Sequence, residues 1–172
     1  IAISPDGTRA AIVSKQDNIQ RGLLYGVSDL THETTVRAVV SFLDLVSNQE
    51  IRDTRRDFDN SESPSAVTYS PLGDTLLVAL QGNNRVAAID ALSLAPVSGY
   101  NTTGSTETSP AVISFELDTG LAPQGLLVDG TSKRLFTQNF MGRSVSVRDA
   151  GPLLDENRTT LPLLATTGTV AV

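Results

Sequence analysis

Apolar and polar positions along this chain come in short runs broken by turn residues, and the breaks recur. Ala66 to Leu94, AVTYSPLGDTLLVALQGNNRVAAIDALSL, sets the pattern. Ala66 to Ser70 alternates and stops at Pro71-Leu72-Gly73-Asp74, with Pro and Gly where a tight turn needs them. Thr75 to Leu80 is apolar and extended; Gln81-Gly82-Asn83-Asn84 breaks it, and Arg85 to Ile89 runs on to Asp90. These lengths and breaks predict three consecutive strands.

The unit recurs. Ser4-Pro5-Asp6-Gly7-Thr8-Arg9 aligns with Ser70-Pro71-Leu72-Gly73-Asp74-Thr75, and Val128-Asp129-Gly130-Thr131-Ser132-Lys133 is a looser third copy. An apolar run follows each turn: Ala10 to Ser14, Leu76 to Leu80, Leu135 to Gln138. A further strand ending in Asp follows each run: Ala38 to Asp44, Val86 to Asp90, Val145 to Asp149. A fourth strand is predicted at Glu50 to Arg55, Val112 to Leu117 and Thr160 to Ala165. The first of these, EIRDTRR, carries the charge expected of an outer edge.

Repetition at this period points to a radial array of sheets. We expect an all-β chain of three four-stranded antiparallel blades, a partial β-propeller, as one unit over residues 1–172 with blades at 1–60, 61–120 and 121–172. The inner strands would be Ile1 to Ile3, Ala66 to Tyr69 and Gly125 to Leu127, and the middle strands would be buried on both faces. Two insertions interrupt the array: Asp17 to Arg37, which contains His32, and the Gly/Ser/Thr-rich Ser98 to Ser109, expected to be a mobile loop. Asp57 to Ser65 reads as an acidic connection between blades.

Composition narrows the chemistry. Hydrophobic residues are 40% and charged residues 19%, enough for a packed core. Aromatics are 5% with no Trp, so the core is built from Val, Leu, Ile and Ala. A net charge of −6 and a pI near 4.6 argue against nucleic acid or an anionic membrane surface as partner. With no cysteine, disulfides, thiolate nucleophiles, Cys-ligated metals and C-x-x-C-H haem attachment are excluded within the chain. There is no run of about 18 apolar residues. The chain starts inside a strand pattern, with no charged and apolar leader, which leads us to expect a piece of a longer protein.

No catalytic, cofactor-binding or metal-binding constellation emerges, and no cofactor is expected. His32 stands alone, and a metal site or general base needs partners. With one histidine and no G-x-S-x-G elbow, a Ser-His-Asp triad is not expected. Asp44, Asp90 and Asp149 recur at one position of the unit, which points to turn capping through backbone N–H groups. Calcium at Asp57-Phe58-Asp59-Asn60 or Asp6-Gly7 would suit the oxygen donors, but the D-x-D-x-D-G spacing is missing. Arg52, Arg55 and Arg56 with Asp53 and Asp57 read as solvated surface pairs. Asn101-Thr102-Thr103 and Asn157-Arg158-Thr159 are glycosylation sequons in form.

AVTYSPLGDTLLVALQGNNRVAAIDALSLAPV resembles the YVTN-type β-propeller repeat, a strand, S-P-D-G-x, a V-x-N-like strand and N-x-V-x-V-I-D. The S-P-D-G is intact at Ser4 to Gly7, becomes Ser70-Pro71-Leu72-Gly73 in the second copy and is reduced to Asp129-Gly130 in the third. Ala122 to Val147 is similar to the last blades of bacterial proteins that set a propeller before a di-haem cytochrome c peroxidase-like domain. That resemblance implies a haem domain as neighbour and a periplasmic or secreted location. It carries over no peroxidase activity, since no residue matches the haem motif.

Three blades leave an apolar face open at each end. Either two copies pair into a six-bladed, two-fold ring, or the missing blades come from elsewhere in the parent protein. The leading functional expectation is a non-catalytic scaffold or protein-interaction module, WD40-like in its use of end loops. The alternative is a hydrolase, lyase or ligand binder working at the central channel, with Ser4, Thr68, Tyr69 and Gln124 as lining candidates.

Overall fold

The computed structural model describes residues 1–16, 37–58, 63–92, 109–110, 113–155 and 166–171. Three sheets stand side by side. The first is built from β1 (Ala2–Ile3), β2 (Arg9–Gln16), β3 (Arg37–Asp44), β4 (Gln49–Glu50) and β5 (Arg56–Phe58). The second contains β6 (Pro64–Tyr69), β7 (Thr75–Leu80) and β8 (Arg85–Asp90). β9 (Ser109–Pro110) leaves it to join the first sheet, and β10 (Ile113–Asp118) completes it. The third contains β11 (Pro123–Asp129), β12 (Arg134–Asn139), β13 (Ser144–Asp149) and β14 (Thr166–Ala171). Within each sheet, neighbours in sequence pair antiparallel, in the orders β1-β2-β3-β5, β6-β7-β8-β10 and β11-β12-β13-β14. This is the meander of three four-stranded blades in a β-propeller.

The middle sheet explains why its sequence is so continuously apolar. All six residues of β7 are buried. Leu76, Val78 and Leu80 point one way, into a core shared with Ala11, Val40, Phe42 and Phe58 of the first sheet. Leu77 points the other way with Val86, Ala88 and Leu117, against Leu135 of the third sheet and Leu153 of the 3-10 turn Gly151–Leu154. Each fully buried Leu or Val contributes about 1.5–3 kcal/mol. In the end sheets, β2 and β12 have only one such neighbour: β12 alternates in burial, and β2 is buried at Ala10 and Ala11 and exposed by Ser14 and Lys15.

Asp44, Asp90 and Asp149 all cap turns. The Asp44 carboxylate accepts from the N–H groups of Val46 (2.8 Å) and Ser47 (2.9 Å), Asp90 from Leu92 N–H (2.8 Å), and Asp149 from Gly151 N–H (2.9 Å). The Ser-Pro turns are superposable in their bonds: Gly7 N–H donates to Ser4 O and Gly73 N–H to Ser70 O, each at 2.9 Å.

The outer strands depart from expectation. Glu50 to Arg55 is not one strand. Arg52–Thr54 forms a 3-10 turn between the short bridge β4 and β5. Arg55 folds back on Glu50 in a two-point ion pair (2.6 and 2.8 Å), and the Thr54 hydroxyl donates to Ile51 O at 2.6 Å. Pairing then resumes at Arg56, and Arg56, Asp57 and Phe58 are all buried. Asp57 therefore lies in a strand rather than in an acidic connection, and Arg56 is not a solvated surface group. The third outer strand occupies Thr166–Ala171, while Thr160 to Ala165 lies outside the described residues. Ser109–Pro110 pairs parallel with Arg56 and Asp57 at the first blade's edge, while the rest of the Ser98 to Ser109 segment lies outside the described residues.

Candidate functional site

The strand order places the connections at two ends. One end carries the Ser-Pro turns and the Asp-capped turns. The other carries 81–84, 119–122 and 140–143; β2 ends and β3 begins there, and residues 17–36 between them lie outside the described residues.

At this second end the backbone is tied down. The Asn84 side chain accepts from Ala122 N–H (2.8 Å) and its carbonyl from Thr119 N–H (3.0 Å), so the second sheet's hairpin holds the connection to the third. Asn139, buried in β12, accepts from Gly120 N–H at 3.1 Å and donates to the hydroxyls of Ser144 (3.1 Å) and Ser146 (2.9 Å). Phe140 N–H donates to Ala122 O (2.9 Å) and Gly142 N–H to Leu121 O (3.1 Å). On this braced backbone stand three large apolar side chains facing water: Leu121 (57% exposed), Phe140 (59%) and Met141 (71%). Large apolar side chains exposed together on a hydrogen-bonded backbone are the kind of surface on which a partner can dock. Sequence reasoning did not single them out. The available signal was two bulky apolar residues, Phe140-Met141, inside an Asn-to-Arg turn where polar residues are the norm.

The four channel candidates stand in different surroundings. Ser4 is buried in its own turn; its hydroxyl donates to Asp6 at 2.6 Å and accepts from Arg9 N–H at 3.0 Å. Tyr69 packs in the core between the first two sheets, and burial pushes its phenol up to about 12. Thr68 and Gln124 are half-buried; the Thr68 hydroxyl donates to the carbonyl of its chain neighbour Tyr69 at 3.4 Å.

The acidic groups are spent on turns. The Ser4 hydroxyl first, then the N–H and hydroxyl of Thr8, hold Asp6 down to about 2. Asp44 is lowered by the Ser47 and Val46 N–H groups, and Asp129 by Ser132 and Thr131. The Arg55 guanidinium lowers Glu50. Asp6, one of the calcium candidates, already directs its carboxylate at Ser4 and Thr8. Among the described residues no three His, Cys, Asp or Glu side chains gather closely enough to hold a metal ion. His32, Asp59, Asn60 and both sequons lie outside the described residues.

No protein-family model matches this chain, and no curated protein matches it. Solved structures do. Kuenenia stuttgartiensis hydrazine synthase matches with a TM-score of 0.58 at 15% identity, over 84% of this chain and 43% of that one. A candidate 6-phosphogluconolactonase from Bacteroides uniformis matches with a TM-score of 0.60 at 15% identity, over 99% and 39%. The Cps50 (Swd1) β-propeller domain of Myceliophteria thermophila matches with a TM-score of 0.54 at 14% identity, over 82% and 43%. The chain thus spans well under half the length of these structures. At such identities the likeness is one of fold, and it is to β-propellers, WD40-type included. The narrower resemblances, to YVTN-type repeats and to peroxidase-linked propellers, rest on the residues alone.

Proposed function

We propose that this chain is a non-catalytic segment of a β-propeller that acts as a protein-interaction scaffold, gripping its partner through Leu121, Phe140 and Met141. The observation that carries the reading is the exposure of these three side chains on a backbone braced by Asn84 and Asn139. The resemblance of Ala122 to Val147 supplies the partner's chemistry: a haem redox domain of the parent protein. The channel-enzyme alternative is weaker, because Ser4 and Tyr69 are buried and engaged elsewhere.

The test is a photo-reactive phenylalanine analogue at position 140 of the natural protein, with Val46, 80% exposed at the opposite end, as control. We expect a cross-linked peptide joining position 140 to the haem domain and none from position 46. Equal adducts from both positions, or none from 140, would refute the interaction surface. A cross-link specific to 140 that lands outside the haem domain would keep the surface and remove the haem partner.

A further inference from the structure

The chain has no cysteine and one methionine, so the thioether of Met141 is its only sulfur. That sulfur stands on the hairpin between β12 and β13, on a side chain 71% exposed. Exposure at this place does not depend on a further blade. Leu80 pairs with Arg85 and Asn139 with Ser144, so the two hairpins close in the same register and Gly82 of the second blade matches Met141. Gly82 is exposed although the third sheet packs beside its blade.

The turn that carries Met141 is held by its backbone. Phe140 N–H donates to Ala122 O at 2.9 Å, Gly142 N–H to Leu121 O at 3.1 Å and Arg143 N–H to Phe140 O at 3.3 Å. A Cβ at Gly142 would stand 3.1 Å from Leu121 N, so the hairpin lies directly on the 119–122 connection. Leu121, Phe140 and Met141 thus rise from one platform, and none of these bonds uses the Met141 side chain. A change at Sδ therefore alters the surface and leaves the fold. The change open to an exposed thioether is oxygen transfer from a peroxide. With hydrogen peroxide the O–O bond breaks, an S–O bond forms and sulfur gives up two electrons. The other peroxide oxygen leaves as water with both protons. An adaptable apolar side chain becomes a polar one, with a strong acceptor that an apolar partner would strip of water.

We propose that Met141 is a reversible oxidation site whose sulfoxide releases the partner held by Leu121, Phe140 and Met141. The oxidant is hydrogen peroxide. Thiol-dependent methionine sulfoxide reductases restore the thioether: two electrons and two protons come from a dithiol, which becomes a disulfide, and the oxygen leaves as water. The inference rests on the interaction surface proposed above and adds its regulation.

The natural protein with the photo-reactive phenylalanine analogue at position 140 is cross-linked before and after peroxide. Peroxide is dosed until mass spectrometry finds the Met141 peptide one oxygen atom heavier. We expect the cross-link yield to fall at least ~10-fold with far-UV circular dichroism unchanged. Both methionine sulfoxide reductases, A and B, with dithiothreitol then restore the yield. Met141→Leu removes the sulfur, so the same dose leaves that variant's own yield where it began. Three results would overturn the proposal: a Met141 that stays reduced in the folded protein at a dose that oxidises it in urea, full oxidation with the yield unchanged, or a Met141→Leu protein that loses its cross-link to the same dose. No cross-link before peroxide is a different failure, which removes the docking surface and the switch with it.

Discussion

The second blade's turn replaces the Asp of Ser-Pro-Asp-Gly with Leu72, yet its bonding is intact because a carboxylate arrives two residues later. In the first turn Asp6 accepts the Ser4 hydroxyl at 2.6 Å. In the second, Asp74 accepts the Ser70 hydroxyl at 2.7 Å, while Ser70 Oγ accepts from Thr75 N–H at 3.1 Å. Ser70 is fully buried, so Asp74→Ala leaves a hydroxyl proton without that acceptor in a site closed to water. A hydrogen bond to a charged group contributes about 1.5–3 kcal/mol. With a urea slope of about 2 kcal/mol per molar, the unfolding midpoint should drop by about 1 M. Leu72→Asp in the Asp74→Ala background puts a carboxylate where Asp6 stands and should recover about half of that loss. Urea titration followed by far-UV circular dichroism measures both. A midpoint for Asp74→Ala within about 0.2 M of wild type would refute the reasoning, since about 1 M is expected from the slope. So would a double variant no better than Asp74→Ala.

Other outcomes follow from single sites. The Tyr69 hydroxyl is buried with no hydrogen-bond partner, so Tyr69→Phe should stabilise the fold by about 1 kcal/mol; a lower urea midpoint would contradict this. In the wild type, ultraviolet titration should show one phenol ionising near 12, absent from Tyr69→Phe. A Cβ on Gly120 would lie 2.7 Å from Asn139 Cγ, so Gly120→Ala should cost about 1–3 kcal/mol by displacing the Asn139 network. A thermal midpoint equal to wild type would show that Asn139 yields freely. Asp6, Asp44, Asp129 and Glu50 all sit below their ordinary values in the folded chain. Their contribution is therefore complete above the unfolded carboxylate range, about pH 4, and is lost as pH falls toward the folded values, about 2 for Asp6. Urea midpoints should decline from pH 5 to pH 2.5, less steeply in Glu50→Gln.

What could be read from the chain was what local chemistry decides. Ser-Pro turns, the apolar run of Leu76 to Leu80 and the recurring Asp44, Asp90 and Asp149 each follow from a few adjacent residues, and repetition confirmed their alignment. The misread parts depend on distant partners. The run EIRDTRR looks like a charged edge, but the Glu50–Arg55 ion pair bends it into a turn and Phe58 is drawn into the core. The parallel pairing of Ser109–Pro110 with β5 joins two blades across the intervening sequence, and no local pattern signals it. Ser63 and Ala122, each just before a proline, adopt left-handed backbone (φ 53° and 55°) and lend their carbonyls to the next hairpin, at Gln81 N–H and Phe140 N–H. That is a second repeat signature, hidden because neither residue is Gly or Asn. The exposed Leu121, Phe140 and Met141 were obscured for the opposite reason: apolar residues near strands read as core.

Amide hydrogen exchange resolved by strand tests the stacking most directly. If the second sheet is a blade held between two others, the amides of β7 and β8 exchange slowest in the chain and those of β14 fastest, with β2 and β12 between. Exchange in β7 as rapid as in β14 would mean that the second sheet is not enclosed on both faces, and the three-blade arrangement would not stand.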